Sequence, residues 1–206
     1  MQLDKSRVII IIPTYNEGVR ILNVVKQVKL QGYENIIVVN DNSEDSSEKQ
    51  LRHEDVIVLH HVMNRGAGAA TETGLAYCRE FLDYDTVITI DADMQHDPAD
   101  MNLLLEAHLH YHADVSIGNR FLDKTNDIPR NTLFFNAVAN LTTSIICMTH
   151  VRDSQSGFKA FSREAVKVLE LKQDRYAFCS EILIKAHQEK LKVIDVPIKV
   201  YYPEEL

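Results

Sequence analysis

The chain has 206 residues, enough for one well-buried domain without requiring a second. With 30 acidic against 22 basic residues the net charge is -8, so no basic surplus is available for a nucleic-acid backbone and nucleic acid is excluded as a partner. The 3 cysteines, Cys78, Cys147 and Cys179, are scattered without a CxxC spacing, which argues against a zinc knuckle or a disulfide framework and for a reducing, cytoplasmic setting.

In chain order, RVIIII (residues 7–12) is a β-branched run closed by Pro13, a strand buried on both faces and too short for a signal peptide. A helix is predicted over 18–31, with Val19, Leu22, Val25 and Val28 on one side. NIIVVN (35–40) is a second buried strand, followed by the polar turn DNSEDSSE, which suits a helix cap, and DVIVLHH (55–61) is a third strand. A helix over 66–82 leads to the fourth strand, TVITI (86–90). Another helix is predicted over 97–111, its first turn holding Pro98 and Asp100 as helix starts prefer, and DVSIGN (114–119) is the fifth strand. His108 and His112 lie one helical turn apart, but no HExxH pattern or third ligand accompanies them, so they read as solvated helix residues.

Beyond residue 120 the rhythm changes. A polar segment, FLDKTNDIPRN, precedes residues 131–149, which carry no charge; their Asn, Thr and Ser content makes a poor membrane span and favours a helix that is buried or faces an interface. DSQSGFKAFSREAV (153–166), a helix over 179–190 and the strand-like alternation LKVIDVPIKVYY complete the chain. Alternating strands and helices with doubly buried strands predict an α/β fold, a three-layer sandwich around a mostly parallel sheet. Such sheets bind ligands at the carboxyl ends of their strands, where PTYNE, NDNSED, NRGAG, DADMQH and GNR all fall.

The cluster after the fourth strand is the most telling. Asp91, Asp93 and Gln95 alternate, so in an extended segment they share a face, and their oxygens suit a hard cation, Mg²⁺ or Mn²⁺, over zinc. The competing account is a helix cap made by Asp93 or Asp97. NRGAGAA fails the dinucleotide spacing because Thr71 stands where a third glycine is needed, and close packing of helix on sheet explains its glycines better.

Taken in order, PTYNE (13–17), VVNDNSEDSS (38–47), NRGAGAATETGL (64–75), DADMQHDP (91–98), GNR (118–120) and DSQSGFKAFSREA (153–165) resemble the family 2 glycosyltransferases with the Rossmann-like GT-A fold, and among them the dolichyl- and polyprenyl-phosphate sugar synthases. The resemblance covers nearly the whole chain as a single domain, with 1–120 as the nucleotide-sugar-binding part and 121–206 as the acceptor-side part. It implies metal-dependent transfer of a hexose, with inversion, from a GDP- or UDP-sugar to a lipid phosphate. Pro13, Thr14, Tyr15 and Glu17 would then shape the donor site together with Gly66, Asp91, Ala92 and Asp93, and Asp41 would read the base. Two departures stand out: Asn40 replaces the first aspartate of a paired acid, and Ala67 stands where many relatives carry lysine, leaving Arg65 as the substitute for a phosphate contact. The resemblance makes Asp91, Asp93 and Gln95 metal ligands, Asp93, Arg120 and Asp153 catalytic, and Arg120 and Arg130 contacts of the acceptor phosphate. Asp153 is either a general base or an organiser of the site, since a lipid phosphate is already anionic.

Peripheral contact with the cytoplasmic face of a membrane is expected through the uncharged helix. Relatives often continue from such a closing strand into membrane helices, so an anchor is expected beyond YYPEEL. The rival readings are transfer to a soluble or polymer-bound sugar hydroxyl, disfavoured by missing ED and QxxRW-type signatures, a nucleotidyltransferase, disfavoured by the lack of a basic glycine-rich loop after the first strand, and an inactive binding module.

Overall fold

The computed structural model describes residues 4–202, so the end of YYPEEL lies outside the described residues. Its frame is a 7-stranded sheet in the order β3-β2-β1-β4-β6-β5-β7. The strands are β1 (Val8–Thr14), β2 (Asn35–Asn40), β3 (Ile57–His60), β4 (Thr86–Thr89), β5 (Val115–Asn119), β6 (Lys159–Ser162) and β7 (Val193–Pro197). All pairings are parallel except those of β6, which runs antiparallel to both β4 and β5.

Helices cover both faces, giving the three layers that the strand–helix alternation predicts. On one face α1 (Val19–Leu30) and α4 (Met101–His110) pack on Ile10, Ile12, Val38 and Ile88; on the other α3 (Ala67–Phe81), α6 (Arg163–Val168) and α7 (Phe178–Gln188) pack on Ile9, Ile11, Val39 and Val87. The alternation of the β-branched run between two apolar layers is why it has no polar position. The short α2 (Ser47–Gln50) follows the polar turn after β2, and α5 (Arg130–Cys147) occupies the uncharged segment.

Three elements differ from expectation. The buried face of α1 keeps Val25 and Val28 of the predicted face but takes Ile21 and Val24 in place of Val19 and Leu22, Val19 sitting at the exposed helix start. β3, expected over 55–61, is shorter, Ile57–His60, and is an edge strand with Ile57 38% exposed. β6 has no strand-like signature in the sequence because Lys159 interrupts its apolar run, although Lys159 is itself 1% exposed.

Pro13 lies inside β1 and does not end it. The register of β1 on β2 continues through Pro13 and Thr14, whereas that on β4 stops at Ile11 and Thr89. Ile11 accepts from Ile90 on the β4 side and Thr14 accepts from Asp41 on the β2 side, so the position of Pro13 faces the gap where β4 has already turned away. A residue without an N–H costs no ladder bond there. The gap lies between β1 and β4, where strand order reverses, the usual place for a ligand in an open α/β sheet.

His108 of α4 is 3% exposed and meets the Ser116 hydroxyl at 2.9 Å. Burial, against a weaker pull from Asp114, lowers its pKa to about 4. The native state therefore excludes a proton that the unfolded chain takes up below its ordinary value of about 6.5. Stability is expected to be full above that value and to fall by ~2–3 kcal/mol as pH drops toward 4. His108→Asn removes this slope in urea denaturation measured across pH 4–7.

Candidate functional site

A cleft of about 600 Å³ opens at the parted carboxyl ends of β1 and β4. Pro13, Thr14, Tyr15 and Glu17 form one wall, and the β4 loop brings Asp91, Ala92, Asp93 and Gln95 to the other. Asp41, Gly66 and Arg120 also line it, so every residue expected at the donor site reaches the same cavity. The Thr14 hydroxyl is 4% exposed in residue terms and has no hydrogen-bond partner among the described residues, an orphan polar atom beside the space.

The β4 loop is a turn, not the extended run that alternation suggested. Met94 has φ of 67°, and Asp93 Oδ1 accepts from the Gln95 amide at 2.9 Å. Asp97 caps the short helical turn Pro98–Asp100 that precedes α4, accepting from Ala99 at 2.9 Å. Capping thus belongs to Asp97, while Asp91 and Asp93 remain beside the cavity. The tail after β7 braces this loop: His96 bridges to Val200, and Tyr201 donates to the Gln95 carbonyl at 2.8 Å.

The two carboxylates differ in environment. Desolvation works to raise the Asp91 carboxyl, but contact with His96, whose Nε2 lies 3.6 Å away, and the charges of Lys159 and Arg120 outweigh it, leaving its pKa below the ordinary value. Asp93 is raised, by desolvation first and then by the charge of Asp91. Like charges held together in a half-buried wall are the electrostatic signature of a cation seat. The oxygen-only donor set of Asp91, Asp93 and Gln95 fits Mg²⁺ or Mn²⁺. Among the described residues no three His, Cys, Asp or Glu side chains form a complete metal cage, so any such ion takes further oxygens from ligand or water. Gly157 is required here: a Cβ at this position would stand 2.2 Å from Asp91 Oδ2.

Asp41 is 2% exposed and both of its oxygens are engaged. Oδ1 accepts from the Arg65 amide at 2.9 Å and meets His61 at 2.6 Å, and Oδ2 accepts from the Gly66 amide at 2.6 Å. Asp41 therefore fixes the turn that opens α3. Asn40 keeps its acceptor, as expected, but uses it on the Ser43 amide at 2.9 Å.

The glycines of NRGAGAA divide their tasks differently from expectation. Gly66 and Gly68 admit the segment 173–175, whose Asp174 and Gln173 carbonyls would lie 2.6 and 2.1 Å from added Cβ atoms. Packing of helix on sheet falls instead to Gly74, against Ile11. Arg65, expected as the substitute phosphate contact, pairs with Asp174 at 2.9 Å outside the cleft. On this side the cation that reaches the cleft is Arg175, together with Tyr176, from the loop before α7, in addition to Arg120. The sequence held no periodic signal for these two residues, because they are placed by tertiary folding of an irregular segment. Asn64 and Gln155, which fall within the NRGAG and DSQSG segments, line it as well, as does Cys179, for which the sequence held no signal.

Arg120 and Asp153 form a buried pair. The Arg120 amide and Nε bond Asp153 Oδ2 at 3.0 and 2.9 Å, and Nη2 bonds Oδ1 at 2.7 Å. Asp153 is 1% exposed and does not line the cleft, so the general-base alternative lacks geometric support. Arg120 does line it, its guanidinium held by Asp153 and by a further contact with the Tyr202 hydroxyl. Arg130 is exposed at the start of α5, outside the cleft lining.

The family model described as Glycosyl transferase family 2 matches residues 9–169, and the chain belongs to that family. It is 37% identical to the UDP-N-acetylglucosamine–dolichyl-phosphate N-acetylglucosaminyltransferase of Methanococcus voltae, across 95% of this chain and 86% of that protein. It is 29% identical to the polyprenol monophosphomannose synthase of Mycolicibacterium smegmatis, across 94% of this chain and 77% of that protein. Among solved structures, glucosyl-3-phosphoglycerate synthase from Mycobacterium tuberculosis in complex with Mn²⁺, UDP and glucosyl-3-phosphoglycerate superposes with a TM-score of 0.74 at 18% identity, covering 96% of this chain and 72% of that one. The fold is that of the GT-A glycosyltransferases.

Removing one partner of the buried pair leaves an uncompensated charge. Asp153→Ala is expected to cost about 3–5 kcal/mol in urea denaturation, and the double variant Arg120→Met with Asp153→Leu distinctly less.

Proposed function

We propose that the protein transfers a hexose, with inversion, from a nucleoside-diphosphate sugar to a polyprenyl or dolichyl phosphate at a membrane surface. The donor half of this reading is supported by the cleft. Thr14 and Tyr15 offer a hydroxyl and a ring to the nucleoside, and the turn fixed by Asp41 shapes that end. Arg175, with no acidic partner among the described residues, offers its guanidinium to the diphosphate. Asp91 and Asp93, with Gln95 beside them, would hold Mg²⁺ or Mn²⁺, which neutralises charge on a departing nucleoside diphosphate.

The observation that carries the acceptor assignment is the inverted character of α5. An ordinary surface helix buries its apolar stripe. Here the inward side chains are polar: Asn140 bonds the Ser154 amide and the Arg152 carbonyl, Thr143 bonds Ser180, and Ser144 accepts from Val151. Leu133, Phe134, Phe135, Val138, Leu141, Ile145 and Ile146 face outward, Phe135 being 71% exposed. An apolar patch on this scale marks an interaction surface, and the lipid of a polyprenyl phosphate supplies its counterpart. Arg130 stands in the first turn to meet anionic headgroups. No described helix is long and apolar enough to cross a membrane; the outward apolar face of α5 would lie on the surface.

In this arrangement a phosphate oxygen of the acceptor attacks the anomeric carbon as the bond to the diphosphate breaks. The acceptor is already anionic, so no general base is required, and Asp153 acts by holding Arg120 toward the cleft. Arg120, which lines the cleft, orients the incoming phosphate, and the leaving electron pair ends on the diphosphate.

Incubation with labelled UDP- and GDP-sugars, Mn²⁺ and vesicles containing dolichyl phosphate is expected to give solvent-extractable label. Label appearing only on soluble sugar or glycerate acceptors overturns the lipid assignment. Asp93→Ala is expected to lower turnover by at least a hundredfold, and Arg175→Ala to raise KM for the donor about tenfold. Phe134→Asp with Phe135→Asp is expected to abolish sedimentation with vesicles while leaving donor binding intact.

A further inference from the structure

Lys159 is 1% exposed and sits in β6 between two strands, opposite Thr89 of β4 and Ile117 of β5. Taking an ammonium out of water is costly unless opposite charge lies near. Among the described residues it makes no carboxylate ion pair; its Nζ donates to the Ser156 carbonyl, which also accepts from Cys179 Sγ at 3.7 Å. The next residue, Gly157, lies flush against the Asp91 carboxylate, and its carbonyl accepts from Thr89 at 2.7 Å. The strap 156–158 is thus pressed onto the end of β4 and tied beneath by Lys159. Lys159 does not line the cleft, so it cannot touch a substrate, yet it ties down the strap whose Gly157 lies against Asp91, and its charge helps to hold that carboxyl low.

A fixed cation behind a carboxylate pair repels a divalent ion in a setting where water screens little. A diphosphate carries enough negative charge to reverse that balance. We propose that Lys159 is a positioning residue that keeps the Asp91–Asp93 seat from taking a divalent cation until a diphosphate accompanies it. Metal and donor then bind as a unit, and the empty enzyme does not hold a loose metal ion. The inference rests on the metal seat of the proposed reaction and is independent of the sugar and the acceptor.

The test is Mn²⁺ binding followed by electron paramagnetic resonance, alone and with inorganic pyrophosphate, with protein-free controls for the Mn²⁺–pyrophosphate complex. The wild-type protein is expected to bind Mn²⁺ at least tenfold more tightly with pyrophosphate than without. Lys159→Met, which keeps the bulk and removes the charge, is expected to bind Mn²⁺ alone at least tenfold more tightly than wild type. Lys159→Arg is expected to behave as wild type. Unchanged or weaker Mn²⁺ binding in a folded Lys159→Met overturns the proposal, as does strong wild-type binding of Mn²⁺ without pyrophosphate. That second measurement stands even if the variant fails to fold. A wild-type protein that binds Mn²⁺ under neither condition overturns the seat itself, whereas intact coupling with an inert Lys159→Met overturns the role of Lys159 alone.

Discussion

The parting of β1 from β4 is the constraint on which the rest of the molecule depends. Parallel strands held together for their whole length would leave no room at the sheet edge. Here β4 turns away after Thr89 while β1 continues for Pro13 and Thr14, and Pro13 faces the opening without needing a ladder partner. The gap admits a cleft between two apolar layers that are otherwise closed. Every charged group of chemical interest is placed relative to it. Asp91 and Asp93 follow the strand that leaves, and Thr14, Tyr15 and Glu17 follow the one that stays.

Electrostatics around this opening are organised in depth. At the surface of the cleft two carboxylates are set side by side, and the arginine beside them is locked to a buried aspartate. Behind them lie a histidine, a lysine and a glycine that permits contact closer than any side chain allows. A site assembled in this way holds its charges in place before a ligand arrives, which reduces the reorganisation needed during reaction. Glu17, raised chiefly by burial with a further push from Asp93, belongs to the same field.

Much of this arrangement was legible in the amino-acid order. Buried β-branched runs gave the parallel strands, and polar residues at their carboxyl ends located the cleft, because the fold class carries its ligands there. What the order concealed has identifiable physical causes. β6 was hidden by Lys159, a charge buried without a carboxylate partner among the described residues and bonded to the nearby Ser156 carbonyl. Arg175 was hidden because an irregular loop has no period to read. The pairing of Arg120 with Asp153 was invisible for the same reason: each looked like an independent functional residue, and only the fold shows that they satisfy one another. The polar lining of α5 was visible as composition, but not the direction it faces.

The antiparallel insertion of β6 has a consequence for how such a protein can change over evolutionary time. Because β5 and β6 are neighbours running in opposite directions, residues 120–158 leave the sheet and return to it at the same place. This excursion includes α5 and is fastened at its neck by Arg120 and Asp153. An insert with adjacent ends can be lengthened, shortened or exchanged without altering strand order, provided the neck is kept. In the proposed reaction, recognition of the recipient molecule would thereby be separable from recognition of the donor. One scaffold could then take up a different excursion by rewriting a single loop-out, with the ion pair at its neck left in place.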